Sequence, residues 1–263
     1  MRIIAGPCQH ESLDHSFMIA QHCKEVCKEY GIQYVFKASY DKANRTSLGS
    51  KRGVGLEKTL RDFLHLKNDL GAKTLTLTDF HSVEDIKSLE QWSTVDVIQI
   101  PAFLCRQTDL IVEACNQVSK GNAKFVNIKK GQFLAPWDVA GILSKTNTIN
   151  KNQVWITERG TSFGYNTLVV DFTGIQYMLK HYENTIVFDV THSVQAPGGN
   201  GTVSGGNREY VPGLAKAAAA MGVTNFFFEV HDNPDQAPSD GPNALHLKDF
   251  KPLVESLVRI ANL

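Results

Sequence analysis

The chain has 263 residues, 42% of them apolar and 21% charged, and its 27 lysines and arginines match 27 aspartates and glutamates. This composition supports a sizeable core and excludes disorder, and the length suits one large α/β barrel spanning residues 1–263 as a single domain. Balanced charge excludes a global field for nucleic acid or an anionic membrane, so any anionic ligand must be met by local clusters.

In chain order, short β-branched or apolar runs alternate with amphipathic stretches. A strand over Arg2–Ala5 is followed by a helix over Leu13–Tyr30, and Gln33–Ala38 by Leu56–Leu70. Thr74–Asp79 precedes a helix over Val83–Gln91, Val95–Pro101 precedes Thr108–Lys120, and Phe125–Lys130 precedes Pro136–Thr146. Val154–Arg159 leads to Thr173–Tyr182, Thr185–His192 to Asn207–Met221, and Asn225–His231 to Lys248–Ile260. Eight strand–helix alternations predict a parallel sheet, and eight is the number that closes a (β/α)8 TIM barrel; a doubly wound open sheet is the alternative. Seven of the eight strands end in a polar residue: Lys37, Asp79, Gln99, Lys129, Arg159, His192 and Glu229. In a barrel those ends converge on the face where active sites are built. The glycine run Gly198–Gly206 suits a lid after the seventh strand. It does not open a helix directly after a strand, so neither it nor Gly53 and Gly55 forms a nucleotide motif.

The apolar run Ile3-Ile4-Ala5 is too short for a signal peptide, and no stretch approaches the ~18 residues of a membrane span. With five cysteines, an odd count, the expectation is a reduced cytoplasmic protein and no membrane partner. Cys23 and Cys27, four apart on a helix, read as core packing in preference to a metal pair.

Two constellations carry chemistry. Phe36–Ser47 interleaves Lys37, Lys42 and Arg45 with Ser39 and Asn44 at a strand exit, and Lys129 and Arg159 add cations at neighbouring strand ends. Such charge, with directional donors, suits two anionic groups, phosphates above all. The second set is Cys8, which closes strand one, His192, which closes strand seven, Glu229 in strand eight and Asp240 in the next loop. A thiolate, an imidazole and two carboxylates suit zinc, iron(II), cobalt or manganese. His10, His81 and His231 are rival ligands by the same logic.

The segments GPCQHES (Gly6–Ser12), FKASYDKANRTS (Phe36–Ser47), IQIPAFLCRQTDL (Ile98–Leu110), VNIKKGQFLAP (Val126–Pro136), ERGTSFGYNTLVVDF (Glu158–Phe172), FDVTHSVQ (Phe188–Gln195) and SDGPNAL (Ser239–Leu245) resemble the 3-deoxy-D-manno-octulosonate-8-phosphate synthase family, in order and nearly end to end. The resemblance implies a homotetrameric barrel that joins phosphoenolpyruvate to D-arabinose 5-phosphate and releases phosphate, supplying the sugar acid of Gram-negative lipopolysaccharide. It implies that Lys37, Lys42, Lys129 and Arg159 hold phosphoenolpyruvate, with Ser39 and Gln99 nearby. Asn44, Arg45 and Ser204 would hold the sugar phosphate, joined by Arg106 from a neighbouring subunit. Cys8, where the metal-independent branch has Asn, places the chain with the metal-dependent members. Ser82 stands where the family usually has Glu, and Asp232-Asn233-Pro234 stands where it has Pro-x-Pro. Gly241-Pro242 looks more like the metal-independent branch. The nearest rival family uses erythrose 4-phosphate on the same barrel, with Lys-Pro-Arg-Thr where this chain has Lys42-Ala43-Asn44-Arg45. A non-catalytic sugar-phosphate-binding barrel is the reading from another class.

Overall fold

A computed structural model describes residues 1–45, 47, 49–71, 73–198 and 205–263. Eight parallel strands, β1 (Arg2–Gly6), β2 (Gln33–Lys37), β3 (Leu75–Asp79), β4 (Val97–Ile100), β5 (Phe125–Lys129), β6 (Val154–Glu158), β7 (Thr185–Asp189) and β8 (Asn225–His231), pair in sequence order. The deciding contact is between the ends: β1 pairs with β2 on one side and with β8 on the other, Arg2 to Gly6 lying opposite Asn225 to Glu229. An open sheet has two free edges, so this pairing excludes the doubly wound alternative.

The strands alternate as a closed sheet requires. Ile4, Val35, Leu77, Val97, Trp155, Val187 and Phe227 point inward and form one buried cluster. Their neighbours, Ile3, Phe36, Ile98, Val126, Ile156 and Phe228, face the surrounding helices. At the N-terminal end of the barrel, the Arg2 guanidinium lies 4.1 Å over the Trp155 ring. Around the strands run α1 (Leu13–Glu29), α2 (Leu56–Leu70), α3 (Val83–Lys87), α4 (Thr108–Ser119), α5 (Val139–Leu143), α6 (Phe172–His181), α7 (Val211–Ala220) and α8 (Leu247–Ala261). Cys23 and Cys27 are buried on the inner face of α1 among core residues, as packing requires.

Three details depart from the expected elements. The seventh strand stops at Asp189, and His192 sits in a one-turn helix, Val190–Ser193, because the Asp189 carboxylate accepts the His192 backbone N–H at 3.0 Å and caps a turn. The helices expected over Val83–Gln91 and Pro136–Thr146 are broken into short α and 3₁₀ pieces. Short pairings, Thr161–Ser162 with Leu168–Val169 and Gln195–Ala196 with Gly205–Gly206, decorate the C-terminal mouth. Ser82, in place of the family's Glu, caps α3 by accepting from the Asp85 N–H at 3.0 Å.

Candidate active site

The strand ends surround a cavity of about 260 Å³ lined by Lys37, Lys42, Asn44, Arg45, Gln99, Lys129, Arg159, His192 and Asp240. Nine of the expected site residues thus share one mouth. Ser39 lies buried beneath its wall, accepting from Lys42 Nζ at 3.0 Å and donating to Asp79. Arg106 is exposed after a 3₁₀ turn and does not line the cavity of its own chain. Ser204, and most of the glycine run expected as a lid, lie outside the described residues.

Lys129 closes β5 with its ammonium 3.3 Å from the centre of the Phe227 ring and paired with the Asp189 carboxylate. Burial pushes Lys129 down to about 8, against the pull of Asp189, and the Lys37 and Arg159 charges push the same way. Arg159 follows β6 and donates through NH2 to Gln195 Oε1 at 2.7 Å, leaving the rest of its guanidinium to the cavity. Lys37 ends β2 and bonds Glu229 Oε1 at 2.9 Å and the Cys8 carbonyl at 3.0 Å. Burial disfavours charge on Lys42, but Cys8, Glu229, Asp79 and Asp240 around it keep its ammonium well above the ordinary lysine value. Arg45 spans the mouth, from its own loop at the Lys51 carbonyl to Ser239 Oγ at 3.0 Å.

The second arm of the mouth holds the mixed donor set. Cys8 Sγ, Glu229 and Asp240 offer ligand atoms within 4.8 Å of one another. Cys8 Sγ stands 3.3 Å from Asp240 Oδ2, and His192 Nε2 stands 3.3 Å from Glu229 Oε1 and 3.7 Å from Asp240 Oδ2. Donor atoms around a tetrahedral zinc lie roughly 3.3–3.7 Å apart, given bonds of about 2.0–2.3 Å. The buried Glu229 Oε2 has no hydrogen-bond partner among the described residues, which is costly without a cation. Asp240 adopts a left-handed backbone, φ 52°, an uncommon conformation for a non-glycine residue at a site that must aim one side chain. Burial, with the Glu229 and Asp240 charges, holds the Cys8 thiol well above its ordinary value, so a divalent ion is what would make it a thiolate. The residues fit a divalent transition ion.

Three functional side chains escape a reading of strand ends. Asp189 accepts from the backbone and from Nδ1 of His192, the latter at 2.6 Å, while pairing with Lys129. It fixes the tautomer that leaves Nε2 facing the carboxylates, a typical outer-shell role. Burial opposes its ionisation, but His192 and Lys129 hold it far below the ordinary carboxylate range. Gln195 bridges the two arms, accepting from Arg159 and donating to Asp240 Oδ1 at 2.7 Å. Glu158 accepts the N–H groups of Arg159 and Gly160 at 3.0 and 2.7 Å, and pairs with buried Lys130 at 3.1 Å, fixing the start of the Arg159 loop. In the sequence they stand inside the quoted segments Glu158–Phe172 and Phe188–Gln195, and nothing there assigns them a role. Among the rival histidines, His10 is held by Ser16 and Asp62, each at 2.8 Å. His81 lines the cavity beside Tyr40, and His231 bonds Glu11.

Residues 1–261 match the DAHP synthetase I family. The chain belongs to that family. Within it, the chain is 50% identical over 256 residues to a 2-dehydro-3-deoxyphosphooctonate aldolase of Agrobacterium fabrum, covering 97% of this chain and 87% of the relative. It is 49% identical over 258 residues to the aldolases of that name from Rhizobium meliloti and Rhodopseudomonas palustris, covering 98% of this chain and 89% and 87% of theirs. The family model thus takes in synthetases of the DAHP type, while these half-identical members of the DAHP synthetase I family carry the name of the eight-carbon product.

Proposed function

We propose that this chain is a metal-dependent synthase. It condenses phosphoenolpyruvate, D-arabinose 5-phosphate and water into 3-deoxy-D-manno-octulosonate 8-phosphate and inorganic phosphate. One observation carries the choice of aldose: relatives half identical over nearly the whole chain are named for the eight-carbon product, not the seven-carbon one. The geometry supplies the rest of the argument. Two phosphates and a carboxylate must meet against their mutual repulsion, and Lys37, Lys42, Lys129, Arg159 and Arg45 face one cavity.

In this reading, Lys37, Lys42, Lys129 and Arg159 bind phosphoenolpyruvate, with Gln99 and the buried Ser39 nearby. Asn44 and Arg45 hold the sugar phosphate, and the aldehyde lies between the arms. C3 of the enol forms a bond to the aldehyde carbon, and water adds at C2. The C2–O bond to phosphate then breaks, so phosphate departs with the bridging oxygen. Cations around the leaving phosphate favour this carbon route over attack at phosphorus. A divalent ion (zinc, iron(II), manganese or cobalt) held by Cys8, His192, Glu229 and Asp240 would supply Lewis acidity toward an aldose oxygen or water. Asp189 keeps the His192 ring oriented for that set, and Lys129 is held by the same carboxylate.

The deciding experiment is turnover with arabinose 5-phosphate and erythrose 4-phosphate side by side, using phosphoenolpyruvate labelled with heavy oxygen at the bridge. The reading expects consumption of the pentose phosphate and label in inorganic phosphate. Preference for the tetrose would assign the seven-carbon product, label kept in the sugar acid would rule out the carbon route, and no turnover would leave a binding barrel. A strong chelator should abolish turnover, zinc, iron(II), manganese or cobalt should restore it, and Cys8→Ala should lose the metal of this site because it removes the one soft ligand. Full activity in metal-free protein with Cys8 intact would overturn the metal assignment.

A further inference from the structure

At the outer rim of the β1–β8 seam, four side chains form a cluster the reaction does not use. Glu11 precedes α1, His15 lies in its first turn, His231 ends β8, and Asp232 follows. The two imidazole rings lie 4.7 Å apart. His15 Nε2 meets Asp232 Oδ1 at 2.9 Å, and His231 Nδ1 meets the same oxygen at 3.1 Å. On the opposite edges of the rings, His231 Nε2 stands 2.9 Å and His15 Nδ1 3.7 Å from Glu11 Oε1.

One atom in this arrangement is unexplained. His15 Nδ1 is buried and has no hydrogen-bond partner among the described residues. In the tautomer whose Nε2–H donates to Asp232, the Nδ1 lone pair lies 3.7 Å from the Glu11 carboxylate, a gap that either a proton or a metal ion can bridge. A buried acceptor opposite a carboxylate is unfavourable unless a cation lies between them. The ligand atoms of Glu11, His15 and His231 all lie within 4.8 Å of one another, and a tetrahedral zinc sets its nitrogen and oxygen donors roughly 3.3 Å apart.

We propose that Glu11, His15 and His231 form a second divalent transition-metal site, with zinc as its representative ion, Asp232 as its outer carboxylate and water at the open corner. Two neutral imidazoles and a carboxylate are a borderline donor set, and orientation of both rings by one outer carboxylate is how metal-ligating histidines are commonly held. Without an ion, His231 Nε2–H donates to Glu11 while Nδ1 accepts the Asn233 N–H at 3.0 Å. The ion replaces the Nε2 proton, which passes through solvent to Nδ1 and is then shared with Asp232. The Asn233 contact is given up in exchange for the metal bond. The Glu11 side chain is 34% exposed, so the ion enters from solvent and not through the barrel mouth. Once bound, it ties the start of α1 to the end of β8, bracing the seam where the barrel closes.

The site is independent of the catalytic metal reading, and zinc titration of the full-length, chelator-stripped protein separates the two. The parent should bind about two zinc ions per chain and His15→Ala about one. Cys8→Ala should also keep about one, and the double variant none. Glu11→Gln preserves a hydrogen-bond acceptor for His231 but removes the ligand charge, so it should lose the same ion if the truncation at His15 disturbs α1. In Cys8→Ala, cobalt(II) at the remaining site should show ligand-field absorption without thiolate charge transfer. The melting temperature of Cys8→Ala should rise with zinc, and that of the double variant should not. If His15→Ala and Glu11→Gln bind as many ions as the parent, or zinc binds the Cys8→Ala protein without saturation as an adventitious ion only, the proposal fails. Loss of both ions in Cys8→Ala would also overturn it, while an unchanged count there would remove the catalytic assignment alone.

Discussion

Arg159 and Lys129 both present positive charge to the cavity, yet they do different physical work. Arg159 already spends one N–H on Gln195, and the rest of its planar fork can take a phosphate or carboxylate by parallel bonds. Lysine there would keep the charge and lose the fork, so Arg159→Lys should cost at least ~2 kcal/mol of transition-state stabilisation, about 30-fold in kcat/KM for phosphoenolpyruvate. Parity within about twofold would make Arg159 structural. Burial brings the Lys129 ammonium down to about 8. An ammonium is charged below its pKa, and only the charged form attracts phosphate. Thus kcat/KM for phosphoenolpyruvate should fall as pH rises through about 8, a limb belonging to the free enzyme. At saturating substrate, the bound phosphate sustains the proton and kcat should hold to higher pH. Lys129→Arg should be slower but lack that limb, and a limb unchanged in the variant would assign it to another group. Reading the sequence finds both cations because they end strands. Asp189 and Gln195 stay hidden, since their roles exist only through partners brought close by closure of the barrel.

At the scale of elements, all eight strands and eight helical regions are legible because each is long enough to carry its own periodicity, and β8 falls on its expected bounds, Asn225–His231. What is not legible is shorter than one period. The two-residue pairings at the mouth have no pattern to read, and the one-turn helix at Val190–Ser193 depends on a cap from Asp189, which a strand reading absorbs into β7. The candidate metal set is likewise weak as a pattern, with ligands from Cys8 to Asp240 separated by most of the chain. It becomes a site only because β1 and β8 are neighbours at the seam. That seam is tight. A Cβ on Gly6, the last residue of β1, would fall well inside contact distance of the Lys37 backbone carbonyl oxygen. Backbone cannot give way as a flexible side chain can, so Gly6→Ala should push β1 from β2 where Lys37 and Cys8 leave the sheet. The expected loss is about 2–3 kcal/mol in urea unfolding, with a raised KM for phosphoenolpyruvate because Lys37 is displaced. An unchanged midpoint would show that the two strands part there at no cost.

At the scale of the whole molecule, the isolated chain leaves a surface it has no reason to expose. Phe133, Trp137, Phe163 and Tyr165 project into solvent, Tyr165 at 97% exposure, from segments around the C-terminal mouth, and Phe103 is partly exposed where it lines the cavity. Apolar surface on this scale marks association sites in soluble proteins. Arg106, three residues after Phe103, is exposed in the same stretch and is not among the residues that line its own cavity. The family resemblance expects a closed homotetramer in which each chain lends Arg106 to a neighbour's sugar-phosphate subsite, and an exposed Arg106 is compatible with that expectation. Four chains of 29.1 kDa give about 116 kDa, which light scattering would read directly. The stronger test is complementation. An Arg106→Ala chain keeps a whole cavity but has no arm to lend, whereas a Lys129→Met chain keeps the arm but has a dead cavity. Each alone should be nearly inactive. Co-expressed in equal amounts under two affinity tags, they assemble mixed tetramers in which an intact cavity sits beside an intact arm at about one site in four, since both must occur together and each has even odds. Activity near a quarter of the parent's in doubly tagged material, against almost none in either pure variant, is the expected result. Mixed tetramers no more active than the average of the two pure variants would place Arg106 outside the neighbouring site.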